Sequence, residues 1–131
     1  MTTFKSEQQF QDTIIALLKM LGLKYYHPYW STFSPEGFPD LVIVGRRGLL
    51  YRELKTEVGK VSDEQSRWVA ALREAGQDAD VWRPADWPER IQSELRALGR
   101  SSFAGEAPST QLRRAKRKAA GPRRNARSGG E

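Results

Sequence analysis

Asp40, Glu53 and Lys55 are the residues of this chain whose types and spacing could do chemistry. Asp40 closes the segment Gly37-Phe38-Pro39-Asp40 and precedes the apolar run Leu41-Val42-Ile43-Val44, while Glu53 and Lys55 flank Leu54. Val42 to Val44 reads as a buried strand and Leu49 to Thr56 as a second, with Gly45-Arg46-Arg47-Gly48 as the turn of a hairpin. Whether that turn has a two- or four-residue loop, its centre falls between Arg46 and Arg47. Val44 then faces Leu49, Val42 faces Tyr51 and Asp40 faces Glu53. Side chains alternate along a strand, so Lys55 projects from the same face as Glu53.

Two carboxylates facing each other across a strand pair repel unless a cation stands between them. Lys55 alone could be that cation, which would make the trio a structural salt-bridge cluster. The alternative is a catalytic site: Asp40, Glu53 and the Leu54 carbonyl oxygen are hard ligands suited to Mg²⁺, which keeps several waters when bound. A cation there acidifies water and offsets charge on a scissile phosphate, and Lys55 would orient the water or stabilise the transition state. Phosphodiester hydrolysis is the matching reaction.

The elements that must hold these groups are legible from periodicity and caps. Ser6-Glu7-Gln8-Gln9 has capping-box form, and Phe10, Ile14, Leu17, Leu18 and Leu21 follow at helical spacing, giving a helix from Glu7 to Leu21. Glu7 lies on the extension of that apolar stripe, and an acid in a first turn also has an ordinary dipole role. Leu23 to Trp30 reads as an aromatic strand interrupted at Pro28, and the lone His27 near its end reads as a structural histidine, with a catalytic role as the alternative that its place near a strand end leaves open. Ser31 to Phe38 is a loop. Ser62-Asp63-Glu64-Gln65 is a second capping box, heading a helix whose apolar face is Trp68, Val69, Leu72 and Ala75. Capping alone suffices to explain Gln65. Ala79 to Arg83 reads as a fourth strand, parallel to the third across a helical crossover. Asp86 is expected to cap a last helix carrying Ile91, Leu95 and Leu98 inward, with Pro88 in its first turn. The order α-β-β-β-α-β-α describes an α/β sandwich around a four-stranded mixed sheet.

Composition narrows the function. One domain fits 131 residues. The sequence has no cysteine, which excludes disulfides, thiolate zinc sites and iron-sulfur clusters and fits a reducing cytoplasm, and its one histidine argues against histidine-rich metal centres. Neither an apolar signal core nor a membrane-length apolar run is present. Residues 1–100 hold equal numbers of basic and acidic side chains, so the net charge of +6 resides in residues 101–131. In the domain, Arg46, Arg47, Arg52 and Lys60 around the hairpin are the candidate contacts if the chain binds nucleic acid. The tail, with Arg113, Arg114, Lys116, Arg117 and Lys118 among Ala, Gly, Ser and Pro, reads as a disordered phosphate-binding arm or a solubilising terminus.

Gly37-x-Pro39-Asp40, Glu53-x-Lys55 and the run Ser62-x-x-Gln65-x-x-Trp68-x-x-x-Leu72-x-x-x-Gly76 ahead of Val81-Trp82-Arg83-Pro84 together resemble the VRR-NUC branch of the PD-(D/E)XK nuclease superfamily, over roughly residues 6 to 88. The resemblance implies a restriction-endonuclease-like fold, with Asp40 and Glu53 as ligands of Mg²⁺ (Mn²⁺ substituting), Lys55 as catalytic lysine, and Glu7 as a further acid at the metal. It also implies an active-site role for Gln65. Small members, from bacteria and their viruses, are associated with Holliday-junction resolution as homodimers in recombination and repair. The expected protein is a cytoplasmic, structure-selective endodeoxyribonuclease acting on branched DNA. A flap or restriction-type nuclease and a non-catalytic junction-binding module are the alternatives.

Overall fold

The computed structural model describes residues 4–28 and 36–104. Helix α1 spans Glu7–Met20, and strand β1 spans Lys24–Tyr26. Strands β2 (Leu41–Gly45) and β3 (Gly48–Leu54) form the hairpin, followed by α2 (Asp63–Glu74), β4 (Asp78–Trp82) and α3 (Glu89–Leu98). The strands lie in the order β1-β2-β3-β4, antiparallel except for the parallel β3-β4 pair. This is the expected α/β sandwich around a mixed sheet. Among the described residues no helix is long and apolar enough to cross a membrane.

Alternation sorts the strand residues onto two faces. Leu41, Ile43, Leu50, Leu54 and Trp82 share one face and pack with Phe10, Ile14, Leu17 and Leu18 of α1 and Ile91, Leu95 and Leu98 of α3. The other face carries Tyr51, Glu53, Ala79 and Val81 towards α2. The second capping box forms in full, with Ser62 and Gln65 bonding reciprocally, whereas the first forms only by half: Ser6 accepts from the Gln9 N–H, but Gln9 Oε1 accepts from the Lys5 N–H instead of the Ser6 N–H. The hairpin pairs Val44 with Leu49 and Val42 with Tyr51, as its turn requires, and closes at Gly45 opposite Gly48.

Three expectations change. The aromatic strand stops at Tyr26 rather than running to Trp30, and residues 29–35 lie outside the described residues. The hairpin's second strand ends at Leu54. Asp86 does not cap the last helix: it ends a short 3-10 turn, Pro84–Asp86, where one carboxylate oxygen accepts the Arg83 N–H at 2.8 Å and the other accepts from Arg90. Pro88 occupies the cap position of α3 and makes no side-chain cap. Ser101 is buried and its N–H donates to Gly22, so the packed body continues past Arg100.

The hairpin tip is fastened at its far end. The N–H groups of Arg46 and Arg47 donate to the carbonyls of Gly99 and Leu98, satisfying the otherwise orphaned C-terminus of α3. Gly45 is needed for this approach, because a Cβ there would run into the Leu98 and Gly99 carbonyls.

Candidate active site

At the other end of the hairpin, just past the last paired residues Leu41 and Arg52, stand Asp40 and Glu53. Asp40 lies outside β2 proper, and its carboxylate Oδ2 accepts the Leu54 N–H at 2.9 Å. That bond ties the approach segment to the end of β3. Gly37, with φ of 93°, lets the same segment cross the start of α2, since a Cβ there would lie 2.6 Å from the Glu64 backbone. Phe38 stacks edge-on against Tyr51 and Trp68, and Trp68 Nε1 donates to the Glu36 carbonyl. The family-like Gly-x-Pro-Asp segment is therefore clamped between β3 and α2.

Glu53 is only 3 % exposed. Its Oε2 accepts from Gln65 Nε2 at 2.7 Å and stands 3.8 Å from Lys55 Nζ. Its Oε1 is buried and, while both carboxylates are ionised, has no hydrogen-bond partner; a proton held between Glu53 and Asp40 would supply one. Burial, then the neighbouring Asp40 charge, push the Glu53 carboxyl up to about 8, with Lys55 opposing and Glu7 adding a smaller repulsion. Gln65 makes both bonds at once: its Oε1 accepts the Ser62 N–H at 2.9 Å in the capping box while its Nε2 donates to Glu53.

These observations test whether the residues fit a divalent cation. A buried, unpaired carboxylate oxygen beside a second carboxylate is costly as it stands, and a hard cation would satisfy both. The donor set of Asp40 and Glu53 fits. No ready-made group of three or more acidic, histidine or cysteine side chains stands in metal-holding geometry among the described residues. Glu7 is exposed and near enough for its charge to act on Glu53, and it stands outside any such ready-made group with Asp40 and Glu53.

The four basic residues expected to meet DNA separate. Lys60 is exposed on the loop that leaves β3 after Lys55. Arg46 and Arg47 are exposed at the hairpin tip, about 20 Å of strand away from Asp40. Arg52 is not a surface residue at all: it is 2 % exposed, ion-paired with Asp78 and Glu94 at 2.9 and 3.0 Å, and stacked over Trp82. Alternation puts it beside Leu50 and Leu54 on the core face, a signal the sequence already carried. Arg113, Arg114, Lys116, Arg117 and Lys118 lie outside the described residues.

Two residues make contacts near the site that the sequence reading did not anticipate. Arg83 donates from one nitrogen to the carbonyls of Thr56 and Glu57, pinning the loop after Lys55. Its position follows from the parallel β3-β4 pair, whose C-terminal ends lie side by side. His27 reaches the Asp40 backbone carbonyl, with Nδ1 at 2.9 Å.

The family profile of the VRR-NUC domain matches residues 33–86. Among solved structures, one described as a VRR-NUC domain protein is similar with a TM-score of 0.61 and 19% identity, covering 79% of this chain and 98% of that one. A second, the Archaeoglobus fulgidus Hjc, a Holliday junction resolvase from an archaeal hyperthermophile, is similar with a TM-score of 0.46 and 22% identity, covering 59% of this chain and 69% of that one. No curated protein sequence matches the chain.

Proposed function

We propose that this chain, whose residues 33–86 match the VRR-NUC domain profile, is a Mg²⁺-dependent endodeoxyribonuclease that cuts branched DNA, with four-way junctions as the preferred substrate and recombination or repair as the setting. The observation that carries the reading is the buried Glu53 carboxylate, with one oxygen unpartnered and the other held by Gln65, set against Asp40. Asp40, Glu53 and the Leu54 carbonyl would hold the cation, with Glu7 as a further acid. Bound there, Mg²⁺ (or Mn²⁺) supplies positive charge to the scissile phosphate and acidifies attacking water.

The chain's own groups do the rest. Gln65 fixes the orientation of Glu53, and the Leu54 N–H fixes that of Asp40. Lys55, half-buried beside Glu53, brings an ammonium to the charge that builds on the phosphate oxygens in the transition state. Arg83 holds the loop that follows Lys55, so the lysine projects from a fixed backbone. Lys60 contacts the DNA backbone near the cut, and the basic residues beyond the described body add sequence-independent affinity.

The working form is a two-fold dimer, because one domain with one site needs a second copy to cut both strands of a near-symmetric junction. Mixing wild-type and Asp40→Ala subunits tests this: mixed dimers should nick only one strand of a given junction. A protein that stays monomeric on DNA, or that prefers a 5′ flap by tenfold or more, would replace this reading with the flap-nuclease one.

A further inference from the structure

We propose that His27 is a positioning residue for Asp40, supplying through its ring the backbone support that the sheet cannot give there. The proposal rests on the metal-holding role assigned to Asp40 above. Strand β2 begins at Leu41, so Asp40 lies beyond the ladder. The β1-β2 register, with Tyr26 facing Val42, would bring Pro28 opposite Asp40, and proline has no N–H to donate. The His27 ring fills that gap. A carbonyl oxygen only accepts, so at 2.9 Å from the Asp40 carbonyl Nδ1 must carry the proton. Nε2 then presents a lone pair, and Gln11 Nε2, 3.0 Å away, donates to it.

The consequence is a fixed tautomer and a physical link. Gln11 lies on α1 one helical turn after Glu7, so the two share a helix face. The ring therefore spans from the Glu7-bearing face of α1 to the backbone of Asp40, while the Asp40 carboxylate is held separately by Leu54. One device sets both the direction of Asp40 and the separation between the two parts of the site that carry acids. Partners of this kind, one bond removed from a ligand, are worth about 10- to 100-fold in metal affinity.

Because the chain has a single histidine, its ring nitrogens can be read without ambiguity. Long-range ¹H–¹⁵N NMR of the full chain should show the Nδ1–H tautomer, and an Nε2–H ring would overturn the proposal. Mn²⁺ titration without DNA should then show binding about 10- to 100-fold weaker in His27→Ala. His27→Asn, whose amide can donate from near the Nδ1 position, should recover most of the loss. Unchanged Mn²⁺ affinity in a folded His27→Ala would overturn the proposal. If His27→Ala fails to fold, Gln11→Ala decides instead: the Asp40 carbonyl should still hold the Nδ1–H tautomer, while the loss of the ring's anchor on α1 should weaken Mn²⁺ binding, and unchanged affinity would overturn the proposal. Should the wild-type protein bind no divalent cation, the metal reading of the site fails by itself. The positioning role then stands or falls on the Asp40 carbonyl ¹³C resonance, which must move in His27→Ala and return in His27→Asn.

Discussion

Gln65 and Glu53 are joined by a 2.7 Å hydrogen bond whose donor side chain is also half of the capping box of α2. The start of a helix and the most buried acid of the site are thereby fixed by one amide. A glutamate at position 65 would also close the box, since a carboxylate accepts the Ser62 N–H, but it would offer Glu53 no donor.

This separates two roles in one residue. Gln65→Glu should keep most of the thermal stability while cutting activity by tenfold or more, because a third negative charge would face Glu53. Gln65→Ala should lose both, with a stability cost of about 1 kcal/mol from the cap. Thermal unfolding and single-turnover rates measured together check it. Full activity in Gln65→Glu would remove Gln65 from the site.

The Glu53 carboxyl, raised from 4.5 to about 8, makes a signed pH prediction. Between those values the folded protein holds a proton that the unfolded chain has released, so this group's contribution to stability is complete below 4.5 and lost as pH rises through about 8. Chelator-treated protein should therefore melt at lower temperature at about pH 8 than at about pH 5. Glu53→Gln should remove much of that slope, and Mg²⁺ should raise the melting temperature of the wild type most at the alkaline end. A slope identical in wild type and Glu53→Gln would count against the arrangement.

Arg52 should behave as a core residue. Its guanidinium bridges Asp78, Glu94 and the Trp82 ring, and burial alone would raise the Glu94 carboxyl, yet hydrogen bonds from Trp82 and Arg52 outweigh this and hold it below its usual range. Arg52→Ala is expected to cost about 3 kcal/mol in denaturant unfolding. The salt dependence of DNA binding should stay as in wild type, since a guanidinium buried in the core neutralises no phosphate. A flattened salt slope without destabilisation would return Arg52 to the DNA surface.

Deleting residues 105–131 should weaken DNA binding and flatten its salt dependence by about 0.9 in slope for each phosphate that the tail neutralises on duplex DNA, while preference among DNA structures survives. Equilibrium binding over a salt series checks it. Loss of structural preference on truncation would make the tail a specificity element.

What the sequence discloses follows from local rules. The turn centred between Arg46 and Arg47 sets the register that brings Asp40 and Glu53 together, and the Ser6 cap and the Ser62–Gln65 capping box mark where α1 and α2 begin. Arg52 misleads when it is read by its charge rather than by its parity with Leu50 and Leu54. Asp86 has the composition of a helix cap, but the reciprocal bonding of Arg83 and Asp86 closes a tighter turn first. The parts played by Arg83 and His27 depend on backbone carbonyls, at Thr56, Glu57 and Asp40, that only a folded chain brings within reach. No spacing in the sequence announces such bonds.

Whether Asp40, Glu53 and Lys55 hydrolyse DNA with a divalent cation is decided by strand cleavage of four-way junction DNA by wild type, Asp40→Ala and Lys55→Ala, each in Mg²⁺ and in chelator. Wild type should cut in Mg²⁺ alone, and both variants should be folded, bound to the junction and inactive. Mg²⁺-dependent cutting by Asp40→Ala at the wild-type rate, or wild-type cutting undiminished in chelator, would contradict that assignment.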